Sequence, residues 1–175
     1  MKIINTPLND LILLQKDIFE DDRGTFSRAY CRHFLDEHGI VSDFVQANIA
    51  TNRKKNILRG MHYQVGDHQE DKLIECVDGM ILDVVIDLRK GSSTFGEHYS
   101  VELELGTSLL VPKGFAHGYL TLTDTCVVIY HVTAAYAPGS ERGVRWNDPS
   151  FQVDWPVENP LVSEKDSNWP AFMGQ

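Results

Sequence analysis

Short runs rich in β-branched and aromatic residues, broken by Gly, Pro, Asn and Asp, recur along most of the chain. The pattern predicts strands over Leu11–Leu14, Phe44–Ala50, Lys72–Val77, Met80–Leu88, Tyr99–Leu105, Ser108–Val111, Tyr119–Leu122 and Cys126–Val132. Asp78-Gly79 lies between two of these runs and predicts a two-residue hairpin turn, because both residues tolerate positive φ. Within Met80–Leu88, Leu82, Val84 and Ile86 alternate with Asp83, Val85 and Asp87, giving one apolar face and one partly acidic face. Only Arg32–His38 reads as a helix, with Gly39 as its stop. About eight short strands with Gly and Pro turns predict an all-β sandwich or jelly roll with short peripheral helices. Beyond Pro138 the chain is rich in Pro, Trp and Asp. Trp146, Trp155 and Trp169 need burial there, so this stretch is expected to wrap the barrel as ordered loop.

Composition narrows the class. At 175 residues the chain is long enough for one domain with a real core, expected to span 1–175. Lys and Arg number 16 against 25 Asp and Glu, a formal net charge of −9 with no basic block, which argues against nucleic acid as a partner. No apolar run approaches the ~20 residues of a membrane span, and Met1–Pro7 lacks the apolar stretch of a signal peptide. Cys31, Cys76 and Cys126 are odd in number and widely spaced, the pattern of free thiols rather than of a disulfide framework or zinc cluster. A soluble cytoplasmic protein is expected.

Two stretches carry barrel motifs. Gly106, Pro112-Lys113-Gly114 and His117 resemble the second motif of the cupin superfamily, a small jelly-roll barrel (double-stranded β-helix), with Thr121 where that motif usually closes on Asn. The first cupin motif, laid from Gly60 to Gly79, keeps its spacing but loses its ligands. Its two His positions fall on Gly66 and His68, and its Glu position on Lys72. Metal sites need electron-rich, deprotonated ligands, and a lysine supplies a cation instead. The expectation is a cupin without metal, in which Lys72 faces the barrel interior and does the electrostatic work. His68 reads as a solvated loop histidine; a degenerate metal site of His68 and His117 is the alternative.

Seven further strings lie in one order. They are Asp22-Arg23-Gly24-x-Phe26, Gln46-x-Asn48, Arg59-Gly60-Met61-His62-Tyr63-Gln64, Lys72, Gly114-Phe115-Ala116-His117-Gly118, Tyr130 with Tyr136, and Ser163-Glu164-Lys165-Asp166. Together they closely resemble the dTDP-4-dehydrorhamnose 3,5-epimerase family, cofactor-independent and metal-free nucleotide-sugar epimerases of cupin fold. The resemblance implies a homodimer acting on a nucleotide-diphosphate 4-keto-6-deoxyhexose. One departure stands out: the family commonly carries Glu where this chain has Arg28, which reverses the charge near the nucleotide and opens the identity of the base.

Inverting a carbon beside a ketone needs a base, a cation or donor at the enolate oxygen, and an acid across the ring. By resemblance His62 is the base, a role suited to an imidazole near neutral pH, and Asp166 its partner carboxylate. Lys72 would stabilise the enolate and Tyr130 would be the acid, with Tyr136 a weaker candidate for sugar contact. Arg59 and Arg23 would clamp the diphosphate, since guanidinium pairs with phosphate oxygens in bidentate fashion. Gln46 and Asn48, two apart on one strand face, can bind sugar hydroxyls or phosphate. Phe26 could stack on the base, Arg28 read it, and His117 reach the keto region or support Lys72. Arg53-Lys54-Lys55 reads as a solvated turn. Three other functions remain open on the residues: a single-site epimerase of a CDP- or other NDP-linked keto sugar, a metal-dependent cupin isomerase or oxygenase, and a sugar-binding module without catalysis.

Overall fold

Strands that alternate between two facing sheets dominate a computed structural model of the chain, which describes residues 1–40 and 43–174; Val41, Ser42 and Gln175 lie outside the described residues. In chain order the strands are β1 (Lys2–Asn5), β2 (Ile12–Gln15), β3 (Ile18–Asp21), β4 (Gly24–Ser27), β5 (Gln46–Asn52), β6 (Ile57–Gln64), β7 (Lys72–Asp78), β8 (Ile81–Asp87), β9 (His98–Leu103), β10 (Thr107–Val111), β11 (Phe115–Thr121), β12 (Cys126–Val132), β13 (Glu141–Gly143) and β14 (Leu161–Val162). Two short helices join them, α1 (Arg32–Glu37) and α2 (Glu164–Ser167). One sheet runs β1-β2-β10-β7-β12-β5 and the other β13-β6-β11-β8-β9, with β14 added parallel to β6. A separate hairpin, β3-β4, pairs only with itself. This is the jelly roll of the cupin type that the motifs predict.

The core follows from the alternation of side chains along each strand. Ile74, Cys76, Val85, Leu109, Val111, Tyr119 and Val128 meet between the sheets. The backs of both sheets are also covered. Leu14, Leu73 and Leu110 pack under Leu35 of α1 with Tyr30 and Phe44 beside it. On the other side Met61, Val84, Ile86 and Ala116 lie under Val144, Phe151, Trp155 and Phe172 of the C-terminal stretch. Each large apolar side chain so buried stabilises the fold by about 1.5–3 kcal/mol. The stretch beyond Pro138 therefore wraps the barrel, its three tryptophans half-buried.

One reading changes. Asp78-Gly79 does not close a hairpin, because β7 and β8 lie in different sheets. Gly79 takes φ +78° and runs so close under Thr125 that a Cβ would fall 2.2 Å from its carbonyl oxygen, so this glycine carries the chain across the barrel end. The partly acidic face of β8 is buried. Asp83 and Asp87 are both fully buried, each beside a basic partner, His117 and Arg89.

Asp87 ties the barrel end together. Its carboxylate accepts hydrogen bonds from the Arg89 guanidinium (2.8 and 2.9 Å), Ser92 Oγ (2.7 Å) and Thr94 Oγ1 (2.7 Å), while Arg89 reaches on to Asp10. Burial by itself would raise this carboxyl, but those donors outweigh it and hold it well below the usual range. A carboxyl with a depressed folded pKa stabilises fully above its unfolded value and loses that contribution as pH falls through the folded one. Asp87→Asn should thus cost ~2 kcal/mol near neutrality. The gap from wild type should narrow below about pH 4, as urea unfolding at the two pH values will measure.

Candidate active site

The site is built around an extra residue in β6. Arg59 stands opposite Tyr119, and His62 opposite His117, so three steps along β6 match two along β11. Regular alternation would put positions 59 and 62 on opposite faces of the sheet; this bulge puts both on the inner one. Gly60, at φ +140°, and Gly118 make it possible. A Cβ on Gly60 would lie 2.5 Å from Gly118 Cα, and one on Gly118 would meet Met61 Sδ at 2.7 Å and the Arg59 carbonyl at 2.8 Å.

The two C-terminal strands then flank β6. In β13, Gly143 stands opposite His62 and Glu141 opposite Gln64. Parallel pairing of β14 with Ile57–Leu58 delivers α2, where Ser163 caps the helix by accepting from Asp166 N–H at 3.1 Å. Asp166 is thereby held under His62: Nε2 lies 2.6 Å from Asp166 Oδ1, and Gly60 N–H donates to Oδ2 at 3.3 Å. A carboxylate only accepts, so Nε2 carries the proton and Nδ1 is the basic nitrogen. Burial would raise the Asp166 carboxyl, but the His62 imidazole, the Gly60 N–H and the Ser163 side chain keep it below its ordinary range. Trp169 sets its ring edge-on to His62, with centroids 6.0 Å apart.

His62 faces a cavity of about 730 Å³ between the sheets. Across it, from β12, comes Tyr130, whose phenol is pushed up by burial and pulled down by Arg59. Lys72 enters from β7 and donates to the His62 carbonyl at 3.4 Å, with Glu70 3.3 Å from its ammonium. His117 leans on fully buried Asp83 through a 2.8 Å contact; burial pushes that carboxyl up, against the pull of His117 and Lys72. Gln46 donates to Asn48 at 2.8 Å, and both line the wall. Arg59 Nε donates to Asn52 Oδ1 at 3.0 Å.

Nine of the residues singled out in the sequence line this cavity: His62, Lys72, Tyr130, Asp166, Gln46, Asn48, Arg59, His117 and Tyr136. Arg23 and Phe26 do not. They lie on the β3-β4 hairpin, where Arg23 pairs with Asp21 and Phe26 is 72% exposed. Arg28, just beyond it, is exposed beside Cys31. His68 sits exposed on the turn Gly66–His68, and among the described residues no three His, Cys, Asp or Glu side chains gather as a metal cluster. Sequence reading missed Glu70, Glu141, Lys165 and Asp83. Glu141 accepts from Tyr136 OH and pairs with Lys165, both at 2.9 Å. Lys165 stands inside one of the quoted strings; for the three acids no pattern in the sequence marks an inward side chain.

The sequence model of one family, described as dTDP-4-dehydrorhamnose 3,5-epimerase, matches residues 5–173. The chain belongs to that family. As a member it is an isomerase, a nucleotide-sugar epimerase. It is 38% identical over 176 residues to the dTDP-4-dehydrorhamnose 3,5-epimerase of Shigella flexneri, covering 99% of this chain and 97% of that protein. The crystal structure of the Bacillus anthracis enzyme with TDP and PPi bound superposes with a TM-score of 0.94 at 39% identity, covering 98% and 99% of the two chains. The Legionella pneumophila enzyme in complex with dTDP-4-keto-L-rhamnose gives 0.89 at 35%, covering 95% and 89%.

The bulge makes a prediction. Gly118→Ala drives a methyl group into the β6 backbone, so unfolding should lose about 1–3 kcal/mol and epimerisation should fall more steeply than stability, because His62 and Arg59 shift together. Thermal unfolding and turnover of the same preparation test this.

Proposed function

We propose that the protein epimerises a dTDP-4-keto-6-deoxyhexose at C3, at C5 or at both, by proton removal and return through an enolate. The observation that carries this reading is an imidazole and a phenol from opposite sheets lining one cavity, together with an ammonium group beside the imidazole's strand. His62 Nδ1 takes the ring proton, and the C–H electron pair moves onto the keto oxygen. Lys72 stabilises the resulting oxyanion, aided by His117. Tyr130 returns a proton to the other face while the electron pair closes back to carbon, and exchange with solvent restores both groups. Asp166 holds the tautomer and stabilises the imidazolium. The reaction asks for neither metal nor cofactor, since an ammonium group occupies the carboxylate-ligand position and does the work of a Lewis acid.

Charge pairing supports a diphosphate at Arg59. Of the cationic side chains lining the cavity, Lys72 pairs with Glu70 and Lys165 with Glu141, while Arg59 has no carboxylate partner among the described residues. An anion therefore meets its strongest unneutralised donor there. Gln46, Asn48 and Tyr136 line the remaining wall for sugar hydroxyls. Arg23, Phe26 and Arg28 join the site in a homodimer: the hairpin that carries the first two projects Phe19 and Phe26, 64% and 72% exposed, and a second copy would cover this apolar surface by laying the hairpin across the cavity mouth. The ligands of the Bacillus and Legionella relatives support the thymidine nucleotide. Among the described residues no helix is long and apolar enough to cross a membrane, and three unpaired thiols support a reducing compartment, the cytoplasm.

Proton NMR with dTDP-4-keto-6-deoxyglucose in deuterated water tests the reading. Wild type should exchange and invert the C3 or C5 proton, before and after exhaustive chelation alike. A metal-restored activity would refute the metal-free reading. His62→Ala should lose exchange and inversion together, by about 1000-fold. Adding Asp166→Asn should cost little more, because the two act on one proton transfer. Tyr130→Phe keeps the ring and its packing but loses the hydroxyl, so exchange should continue while inversion falls and the ratio of exchange to inversion rises. Inversion at the wild-type rate in that variant would move the acid to another residue.

A further inference from the structure

Glu70 follows the exposed turn Gly66–His68, yet its side chain is only 9% exposed. A carboxylate taken out of water beside a lysine must be paired and hydrogen-bonded to be tolerated, and both conditions are met. Oε1 lies 3.3 Å from Lys72 Nζ, and Oε2 accepts from Gln64 Nε2 at 2.9 Å. Gln64 is itself pinned: its amide also donates to the carbonyls of His68 (3.0 Å) and Ala135 (3.3 Å) and accepts from Ala137 N–H (2.7 Å). Lys72 donates its hydrogen bond to the His62 carbonyl. An ammonium has three N–H donors, so with one on that carbonyl and the charge balanced by Glu70, donor capacity is left for the cavity.

We propose that Glu70 is a positioning residue of the epimerisation site, its carboxylate clamped by Gln64 so as to hold the Lys72 ammonium with an N–H free for the substrate's keto oxygen. This rests on the functional reading given above and adds a second consequence. A negative charge behind Lys72 weakens its pull on the diphosphate, so the anion goes to Arg59 and the keto oxygen to Lys72; Glu70 thereby helps set which end of the substrate lies where. The same charge acts on Tyr130, which is pushed up by burial, down by Arg59, up by Glu70 and Glu141, and down by Lys165. His62, Tyr63, Lys72, His117, Tyr119, Tyr136 and Asp166 are the other titratable groups lining the cavity.

Glu70→Gln keeps the shape of the side chain and its bond from Gln64 while removing the charge. In the epimerisation assay kcat should fall about 10- to 100-fold, and dTDP, measured by calorimetry, should bind as tightly as to wild type or more so. The basic limb of kcat/KM should move to lower pH, because one of the upward pushes on Tyr130 is gone. Glu70→Asp, which keeps the charge but withdraws it, should lose kcat with the limb unmoved. A purely structural role predicts the opposite split in Glu70→Gln, with kcat and dTDP affinity falling together on an unmoved limb; that result, or unchanged kinetics, overturns the proposal. If wild type leaves the C3 and C5 protons untouched, the functional reading fails separately, and crystal structures then decide the positioning role. Lys72 Nζ remaining at the His62 carbonyl in Glu70→Gln overturns it, and Nζ released from that carbonyl supports it.

Discussion

One additional residue in β6 determines what this barrel can do. A regular strand would turn Arg59 away whenever His62 faces inward, and the cavity would hold either a base or a guanidinium. The bulge at Gly60–Met61 brings both inside and sends Met61 into the apolar layer behind the sheet. It survives because Gly60 and Gly118 let two backbones approach more closely than any side chain would allow. The local ladder is weakened in exchange, and β13 and β14 brace the same strand from its other edge.

That bracing is also how a carboxylate distant in sequence reaches His62. His62 and Asp166 are 104 positions apart. The chain from β13 to α2 first covers the back of the second sheet with Val144, Phe151 and Trp155. It then pairs two residues with the start of β6, and one capped helical turn presents the carboxylate. Apolar burial supplies the stability of this arrangement, and the hydrogen bonds supply its aim. A carboxylate held to Nε2 leaves Nδ1 as the nitrogen that can accept a proton.

Electrostatics in the cavity are set by pairing rather than by net charge. A chain at −9 must bind an anion locally. Two cavity lysines face carboxylates and Arg59 faces an amide, so the field a diphosphate meets is uneven across a space only about 730 Å³ in volume. In the proposed reading, Lys72 keeps its capacity to donate to an oxyanion that forms only during reaction, while Arg59 suits a charge the substrate always carries.

Much of this was legible in the sequence. Alternating apolar runs marked most of the strands, the Gly and Pro spacing marked a jelly roll, and nine of the candidate site residues line the cavity. The reading failed where identity and position separate. Asp78-Gly79 has the chemistry of a hairpin turn, but its strands join different sheets, since turn residues specify a bend and not the partner of the strand that follows. Ile57–Gln64 was not read as a strand, because its bulge breaks the period of two that strand reading relies on. Arg23 and Phe26 belong to a recognisable string and Arg28 follows it, yet within one chain all three stand away from the cavity. Glu70, Glu141 and Asp83 look like any other acids of an acidic chain, and only their burial against Lys72, Lys165 and His117 distinguishes them. Sequence alone determined the fold class and the chemical types at the site, because both follow from local pattern. Tertiary structure decided which charges are paired and which face the cavity, because burial and distance depend on strands that meet only when the barrel closes.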